Sequence, residues 1–485
     1  MHILFISSVD DIATPERPLR TPEQMQFGIS YISSLLKSQG HNTELVVLSR
    51  MLGARNKTLI QEAIGRFNPR LVCFTAVTSE YTFIERAARY IKKMHPELFL
   101  LVGGAHASLN PNDVAKGPFD AICIGEGEYP TLELAEKLTK VEVPSGIQNL
   151  WIMKDGTVEK NDPRPFVKDI DGLPFPDREI WQKWISGGED VWQPVLLGRG
   201  CPFNCTYCCN HALRRIAQGQ YVRLRSVDSI TREIIMIVEA YPRTKQIYLE
   251  VETIGANMAW ANELCAALKR VNTSLKEPLL FGTNLRITRG SDFSGLFRLF
   301  KESNFKFVRI GVESGSERVR KEILKRDYSN NDIIRAVALA RQNGIQICFY
   351  NLIGVPGETY DDFKETIAIN RECLPDQAFA HIFFPYPGTE LYDVCRKKEL
   401  FKRMPSGELE RCRAVLDLPG FPKKKIQKAF IWFDYNVYKG KRSMISLMAK
   451  TLVSKCRSNL GLHAIYRNLS CFHLFKYLKS AIRVR

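Results

Sequence analysis

The densest chemistry in the chain lies in Gly198-Arg199-Gly200-Cys201-Pro202-Phe203-Asn204-Cys205-Thr206-Tyr207-Cys208-Cys209. Three thiolates at C-x3-C-x2-C on one loop can ligate three irons of a [4Fe–4S] cube, leaving the fourth iron open to another molecule. Zinc normally takes four protein ligands, with a second pair at a distance. No such pair is obvious, although His211 lies close by. Cys209 could be a fourth ligand, but adjacent residues seldom both reach one cluster, so it is set aside as a bystander. The other nine of the thirteen cysteines (Cys73, Cys123, Cys265, Cys348, Cys373, Cys395, Cys412, Cys456 and Cys471) are scattered and read as small buried hydrophobes. The opening Met1-His2-Ile3-Leu4-Phe5-Ile6 reads as a strand, not a basic leader. With an odd cysteine count, that argues against disulfides and for a reducing cytoplasm.

The elements that must hold this loop read as α/β. Ile3–Ser7, Thr43–Leu48, Leu71–Ala76, Phe99–Val102 and Ala121–Ile124 are apolar strands. Between them, Gln24–Ser38, Thr58–Phe67 and Tyr81–Met94 carry helical spacing, and Thr131–Leu138 follows the last strand. Such alternation predicts a doubly wound parallel sheet, which binds ligands beyond the C-terminal ends of its strands. Gly103-Gly104 and Gly125-Glu126-Gly127 fall at those ends. Pro144, Pro163, Pro165, Pro174 and Pro176 then predict a linker with little regular structure. A second series has strands at Pro194–Leu197, Gln246–Val251, Leu280–Asn284, Phe307–Val312, Gln346–Leu352 and Phe379–Phe384. Six βα units fit a partial (β/α)6 barrel, not a closed eightfold one. The expected divisions are 1–143, linker 144–192, barrel 193–395 and a helical basic C-terminal region 396–485.

Apolar residues make up 45% and charged residues 25% of the 485, which excludes long disorder and collagen-like repeats. No apolar run reaches the ~20 residues of a spanning helix. The net charge is +17, and +14 of it lies in 421–485, where ten Lys and five Arg face one acid, Asp434. The body of the chain is therefore near neutral.

The cysteine spacing, with aromatic Tyr207 before the last Cys, resembles the radical S-adenosylmethionine (SAM) superfamily. Further runs follow in the family's order. Arg309-Ile310-Gly311-Val312-Glu313-Ser314-Gly315-Ser316 looks like the fourth-strand motif whose acid contacts the SAM ribose. Asn351-Leu352-Ile353-Gly354-Val355-Pro356-Gly357-Glu358-Thr359 looks like the fifth-strand motif beside the adenine. Phe384-Pro385-Tyr386-Pro387-Gly388-Thr389 resembles the sixth-strand end. The resemblance covers roughly 190–390. It implies Cys201, Cys205 and Cys208 as cluster ligands and Tyr207, Glu313, Ser314 and Gly354 as SAM contacts. The second strand departs from the family's Gly-Gly-Glu and reads Leu249-Glu250-Val251-Glu252-Thr253. Alternation puts Glu250 and Glu252 on one face, and Glu252 is favoured for the SAM ammonium. Asn284 and Arg286 are expected at the SAM carboxylate, the guanidinium bidentately. The implied chemistry is reductive cleavage of SAM to a 5′-deoxyadenosyl radical, with the cofactors carrying the reaction.

The loop Ser7 to Pro15 has no glycine, which argues against a dinucleotide fingerprint. Thr75-Ala76-Val77-Thr78-Ser79, Val102-Gly103-Gly104-Ala105-His106-Ala107 and Ile124-Gly125-Glu126-Gly127-Glu128 together resemble the flavodoxin-like, cobalamin-binding domain that precedes the barrel in one large radical SAM class (class B methyltransferase-like), over about 1–140. The implied cobalamin contacts are Thr78, Ser79, Gly103, Gly104, His106, Gly125, Glu126 and Gly127. Ser8 to Ala13 contains no His, so no cobalt ligand comes from that loop. His106 is read as a tail or backbone contact, and His2 has no assigned role. The class implies methylation of an unactivated carbon of a small or lipid-like metabolite, with an electron donor such as flavodoxin or ferredoxin. Ring formation or rearrangement is the alternative, followed by a non-catalytic corrinoid carrier or an RNA-modifying enzyme. Residues 1–140 hold only Cys73 and Cys123, whereas tRNA-thiomethylating relatives carry three more cluster cysteines there. Nucleic acid is therefore not an expected partner. In the basic tail, Leu462, Ile465, Tyr466, Leu469 and Phe472 recur at helical spacing. Residues 421–485 are expected to pack as a helical subdomain or to meet an anionic membrane surface, making a cytoplasmic protein peripheral at the inner face, with RNA binding through lysines on phosphates as the third reading.

Overall fold

The computed structural model describes residues 1–187 and 192–463. It divides into two compact units, Met1–Cys201 with Cys209–Thr244, and Pro202–Cys208 with the chain from Lys245 onward.

The first unit is built on a seven-stranded sheet in the order β2-β1-β3-β4-β5-β6-β7. Strands β1 (His2–Ser8), β2 (Asn42–Leu48), β3 (Leu71–Thr75), β4 (Phe99–Gly103) and β5 (Ala121–Cys123) are parallel. Ile3, Leu4, Phe5 and Ile6 are all buried, because a parallel strand covered on both faces needs a continuous apolar run. The helix Thr78–Met94 buries Tyr81, Ile84, Ala88 and Ile91 at helical spacing against this core. The stretch expected as an irregular linker is partly sheet. Strands β6 (Leu150–Lys154) and β7 (Thr157–Lys160) extend the sheet antiparallel, with Ile152 opposite Ala121. The proline-rich part follows them, and beyond it Trp181 is buried in the same core and donates from its indole to Ser30 Oγ at 2.8 Å.

Strand β8 (Gln193–Leu196) is pinned within this unit by a buried ionic triad. Glu233, on the helix Val227–Ala240, has no solvent exposure and accepts from Arg178 at 2.5 Å and from Arg225. The same two guanidinium groups donate to the carbonyls of Pro194 and Leu196. The chain then enters β9 (Gly198–Arg199), paired antiparallel with β10 (Arg223–Leu224).

The second unit contains five parallel strands, each beside the next: β11 (Gln246–Glu250), β12 (Leu280–Leu285), β13 (Phe305–Glu313), β14 (Gln346–Ile353) and β15 (Gln377–Ile382). The connecting helices include Asn330–Gln342 and Tyr360–Cys373. Both start at capping boxes, Ser329 with Asp332 and Thr359 with Asp362. The fold is thus α/β, a doubly wound sheet followed by the strand–helix series of a partial barrel and a helical C-terminal region. In that region Phe421, Ile426, Phe433, Val437 and Leu447 share a core with Ile353 and Phe363. The expected apolar positions Ile465, Tyr466, Leu469 and Phe472 lie outside the described residues, as does Cys471. Among the described residues no helix is long and apolar enough to cross a membrane.

Replacing Glu233 by Ala removes the carboxylate that two buried guanidinium groups share, leaving Arg225 with Asp171 at 3.8 Å. We expect a loss of about 3–5 kcal/mol, read as a lower urea midpoint. An unchanged midpoint would show that the triad does not hold β8.

Candidate active site

Gly200 has φ +82°, and a Cβ there would run into the Tyr221 carbonyl. Only glycine lets the chain leave β9 so close to its neighbour. Cys201 follows, buried, its carbonyl oxygen accepting from Arg214. Cys209 stands at the start of the short helix Asn210–Leu213, where its carbonyl accepts from Ala212 and Leu213.

In the second unit the rest of the loop lies among cations. Arg286, just beyond β12, donates to Cys205 Sγ at 2.7 Å, and its guanidinium stacks on Phe203 at 3.7 Å. Arg326 reaches the Tyr207 hydroxyl at 3.1 Å, Glu313 at 3.4 Å and the Gly311 carbonyl at 2.6 Å. Tyr207 in turn donates to Glu313 at 2.8 Å. Burial first, then the Glu313 carboxylate, push the Tyr207 phenol well above its usual range, so it remains a donor. Glu313 sits at φ +62°, beside a register shift between β13 and β14. A non-glycine residue held there is strained, and such strain collects at functional positions.

The other expected SAM contacts are placed as follows. Gly354, at φ +78°, donates its N–H to Glu358 at 2.5 Å. Glu358 is fully buried, and burial pushes its carboxyl up to about 8. Ser314 is buried, facing Thr366 at 3.3 Å. Asn284 accepts from the Tyr248 hydroxyl at 2.5 Å and donates to the Val251 carbonyl at 2.8 Å, so its amide already ties β11 to β12. Glu252 is exposed just beyond β11.

The first unit holds a cavity of about 270 Å³ beyond the C-terminal ends of β1, β3, β4 and β5. Gly103, Gly104, Gly125, Glu126 and Gly127 line it, as the sequence suggested. Gly104 has φ +98°, and a Cβ there would lie 2.7 Å from the Ala76 carbonyl oxygen. Arg199 forms another wall, stacked over Tyr31 at 5.0 Å. It donates to Glu126 at 2.9 Å and Glu128 at 2.5 Å. Glu126 also accepts from Arg223 and from the Val167 N–H. Burial works against its charge, but Arg223 and Arg199 hold its carboxyl below the usual range. The structure puts Thr78, Ser79 and His106 off the cavity lining. Thr78 Oγ1 lies 3.1 Å from His106 Nδ1, the Ser79 carbonyl accepts from Arg50, and the imidazole packs on Tyr81. Burial brings His106 down to about 4, so the ring is neutral.

The comparisons with known proteins fit this division. The profile of the radical SAM superfamily matches residues 195–368, and that of the B12 binding domain matches residues 22–135. The chain is a B12-binding radical SAM enzyme. It is 25% identical to an uncharacterized methyltransferase of Pyrococcus horikoshii, over 83% of this chain and 85% of that one. It is also 25% identical to the anaerobic magnesium-protoporphyrin IX monomethyl ester cyclase of Rubrivivax gelatinosus, over 77% and 67%. The fold matches the radical SAM methyltransferase TsrM of Kitasatospora setae, solved with cobalamin and a [4Fe–4S] cluster. The TM-score is 0.65 at 15% identity, covering 83% of this chain and 79% of that one.

The two domains of this radical SAM enzyme call for a [4Fe–4S] cluster, SAM and cobalamin. The residues present fit them. Among the described residues no three His, Cys, Asp or Glu side chains converge on a single ion. A cube makes no such demand, since it takes each thiolate on a different iron. Arg286 against Cys205 supplies a cation for thiolate ligands. Glu128, among the residues lining the cavity, has its Oε2 buried without a hydrogen-bond partner, an acceptor available to a ligand's donor. Arg326, Arg199, Tyr31 and Glu128 are absent from the sequence-based site. Glu128 and Arg199 had a local signal, the first standing next to the glycine motif and the second two residues ahead of Cys201.

A Cβ at Gly103 would meet only the Cys123 side chain and backbone, at 3.5 Å and beyond. Gly103→Val should therefore fold yet fill the cavity. We expect wild-type protein to retain hydroxocobalamin through gel filtration and the variant to lose most of it. Equal retention would place the corrinoid elsewhere.

Proposed function

We propose that the enzyme cleaves SAM reductively and, with cobalamin, methylates an unactivated carbon of a small or lipid-like metabolite. The observation that carries this reading is the pairing, in one chain, of a complete cysteine triad with arginines at its loop and a glycine-lined cavity in a B12-binding domain. When bound, the cluster and SAM supply a 5′-deoxyadenosyl radical, and cobalamin supplies a transferable methyl group.

In this reading Cys201, Cys205 and Cys208 hold three irons. Tyr207 and Arg326 fix the Glu313 carboxylate, which accepts from the ribose hydroxyls. Glu358 holds the Gly354 and Val355 amides, keeping that loop shaped for the adenine. Arg286 balances charge at Cys205 and faces the SAM carboxylate, with Glu252 at the ammonium. Gly103, Gly104, Gly125 and Gly127 allow close approach of the corrinoid, and Glu128 accepts from it. A flavodoxin or ferredoxin supplies the electron. The basic C-terminal region meets an anionic membrane surface, which places the enzyme at the inner face. The methyltransferase of Pyrococcus horikoshii supports methyl transfer. The cyclase of Rubrivivax gelatinosus favours ring formation as the second reading.

Anaerobic reaction with methyl-labelled SAM, a reductant and a metabolite and lipid extract separates the two. Methyl transfer predicts 5′-deoxyadenosine together with label in a new product. 5′-Deoxyadenosine with an altered but unlabelled product would overturn methyl transfer in favour of ring formation.

A further inference from the structure

The helix Met444–Ser458 packs through Leu447 and Thr451, both buried. An adjoining stripe of the same helix is apolar and bare. Ile445 is 83% exposed, Leu452 61% and Met448 45%. These positions are three and four residues apart, so they line one face. Burying that face in water-free surroundings would be favourable, yet no described element covers it.

Met448 and Leu452 also line an open groove of about 490 Å³ shared with the helix Lys423–Ile431, together with Trp432, Lys424, Lys428 and Lys455. Residues 421–463 contain eight lysines and two arginines against one acid, Asp434, which Lys450 already meets at 3.4 Å. Among the described residues none of the three groove lysines has an acidic partner. The occupant must therefore bring both negative charge and apolar surface. The chain beyond residue 463 has apolar residues but brings no negative charge, since it holds Arg467, Lys476, Lys479, Arg483 and Arg485 and no acid. A second copy of this basic face would be repelled. Nucleic acid supplies charge but nothing for Ile445 and Leu452.

We propose that this groove and stripe are the membrane-docking surface, Lys424, Lys428 and Lys455 meeting anionic lipid headgroups while Ile445, Met448 and Leu452 enter the acyl boundary and Trp432 sits at the interface. The inference rests on the membrane part of the proposed function and gives it an address in folded residues. It does not depend on the reaction catalysed.

The test is flotation of the full chain with vesicles of phosphatidylglycerol in phosphatidylcholine, and of phosphatidylcholine alone. A basic side chain near an anionic surface is worth about fivefold in partitioning. Lys424→Glu with Lys428→Glu should lower recovery on anionic vesicles by about a hundredfold or more. Leu452→Asp should lower it without changing net charge by more than one. All three positions are exposed, and unchanged circular dichroism would verify folding. Binding should also fall at 1 M salt, where the Debye length is about 3 Å. If wild type binds anionic vesicles and both variants bind equally, the groove is not the surface and the membrane reading survives elsewhere in the tail. If wild type binds no vesicle, the inference and that reading fall together. Loss of transfer RNA retention in the variants with no vesicle binding by wild type would mark the groove as a nucleic-acid surface and overturn the inference.

Discussion

Buried arginine–glutamate pairs are the constraint on which the first unit depends. Removing two charges from water is expensive, and only close, well-bonded partners compensate. Here Glu233 lies between Arg178 and Arg225, and Arg199 lies between Glu126 and Glu128. Such groups add little net stability over well-packed apolar ones, but breaking one pair is costly. Their effect is to fix geometry. The triad fixes β8 through the carbonyls of Pro194 and Leu196, and the Arg199 pairs fix the loop after β5. Arg199 is two residues ahead of Cys201 in the chain. The wall of the cavity and the first cysteine of the triad therefore share one short, rigid lead.

The second unit repeats the device with a different purpose. Arg326 satisfies the Gly311 carbonyl, the Tyr207 hydroxyl and Glu313 together. Those contacts hold Glu313 in a backbone conformation it would not choose alone. Arg286 is different, for it reaches sulfur itself and stacks on Phe203, a residue of the same cysteine loop. A loop with buried thiols thus carries its compensating cations from β12 and from the segment after β13.

Much of this was legible in the sequence. Apolar runs marked every strand of the two series, because parallel strands buried on both faces cannot hide their composition. Cysteine spacing and the glycine-ended strands marked the loop and the cavity. Arg286 was expected at the site, but the roles of Arg199 and Arg326 were not legible. Arg199 meets Glu126 and Glu128 across more than seventy residues of chain, and no local pattern records such a pairing. Thr78, Ser79 and His106 looked like lining residues because small hydroxyls and a histidine near glycines suit a ligand. They equally suit the start of a helix, which is where all three stand. The linker reading gave weight to five prolines and too little to the alternation in Leu150–Lys154, which pairs β6 with β5. The tie that the Asn284 amide makes between β11 and β12 also has no local signature in the sequence.

The central claim is that Cys201, Cys205 and Cys208 alone hold a cube with one open iron. Iron and sulfide content of anaerobically reconstituted protein, with the electron paramagnetic resonance spectrum of the reduced cluster before and after adding SAM, tests it most directly. Wild type and Cys209→Ala should each hold about four irons and four sulfides per chain. Their spectra should change when SAM reaches the open iron, and Cys205→Ala should hold almost no cluster. Equal loss of iron in Cys209→Ala, or a wild-type spectrum indifferent to SAM, would contradict the account.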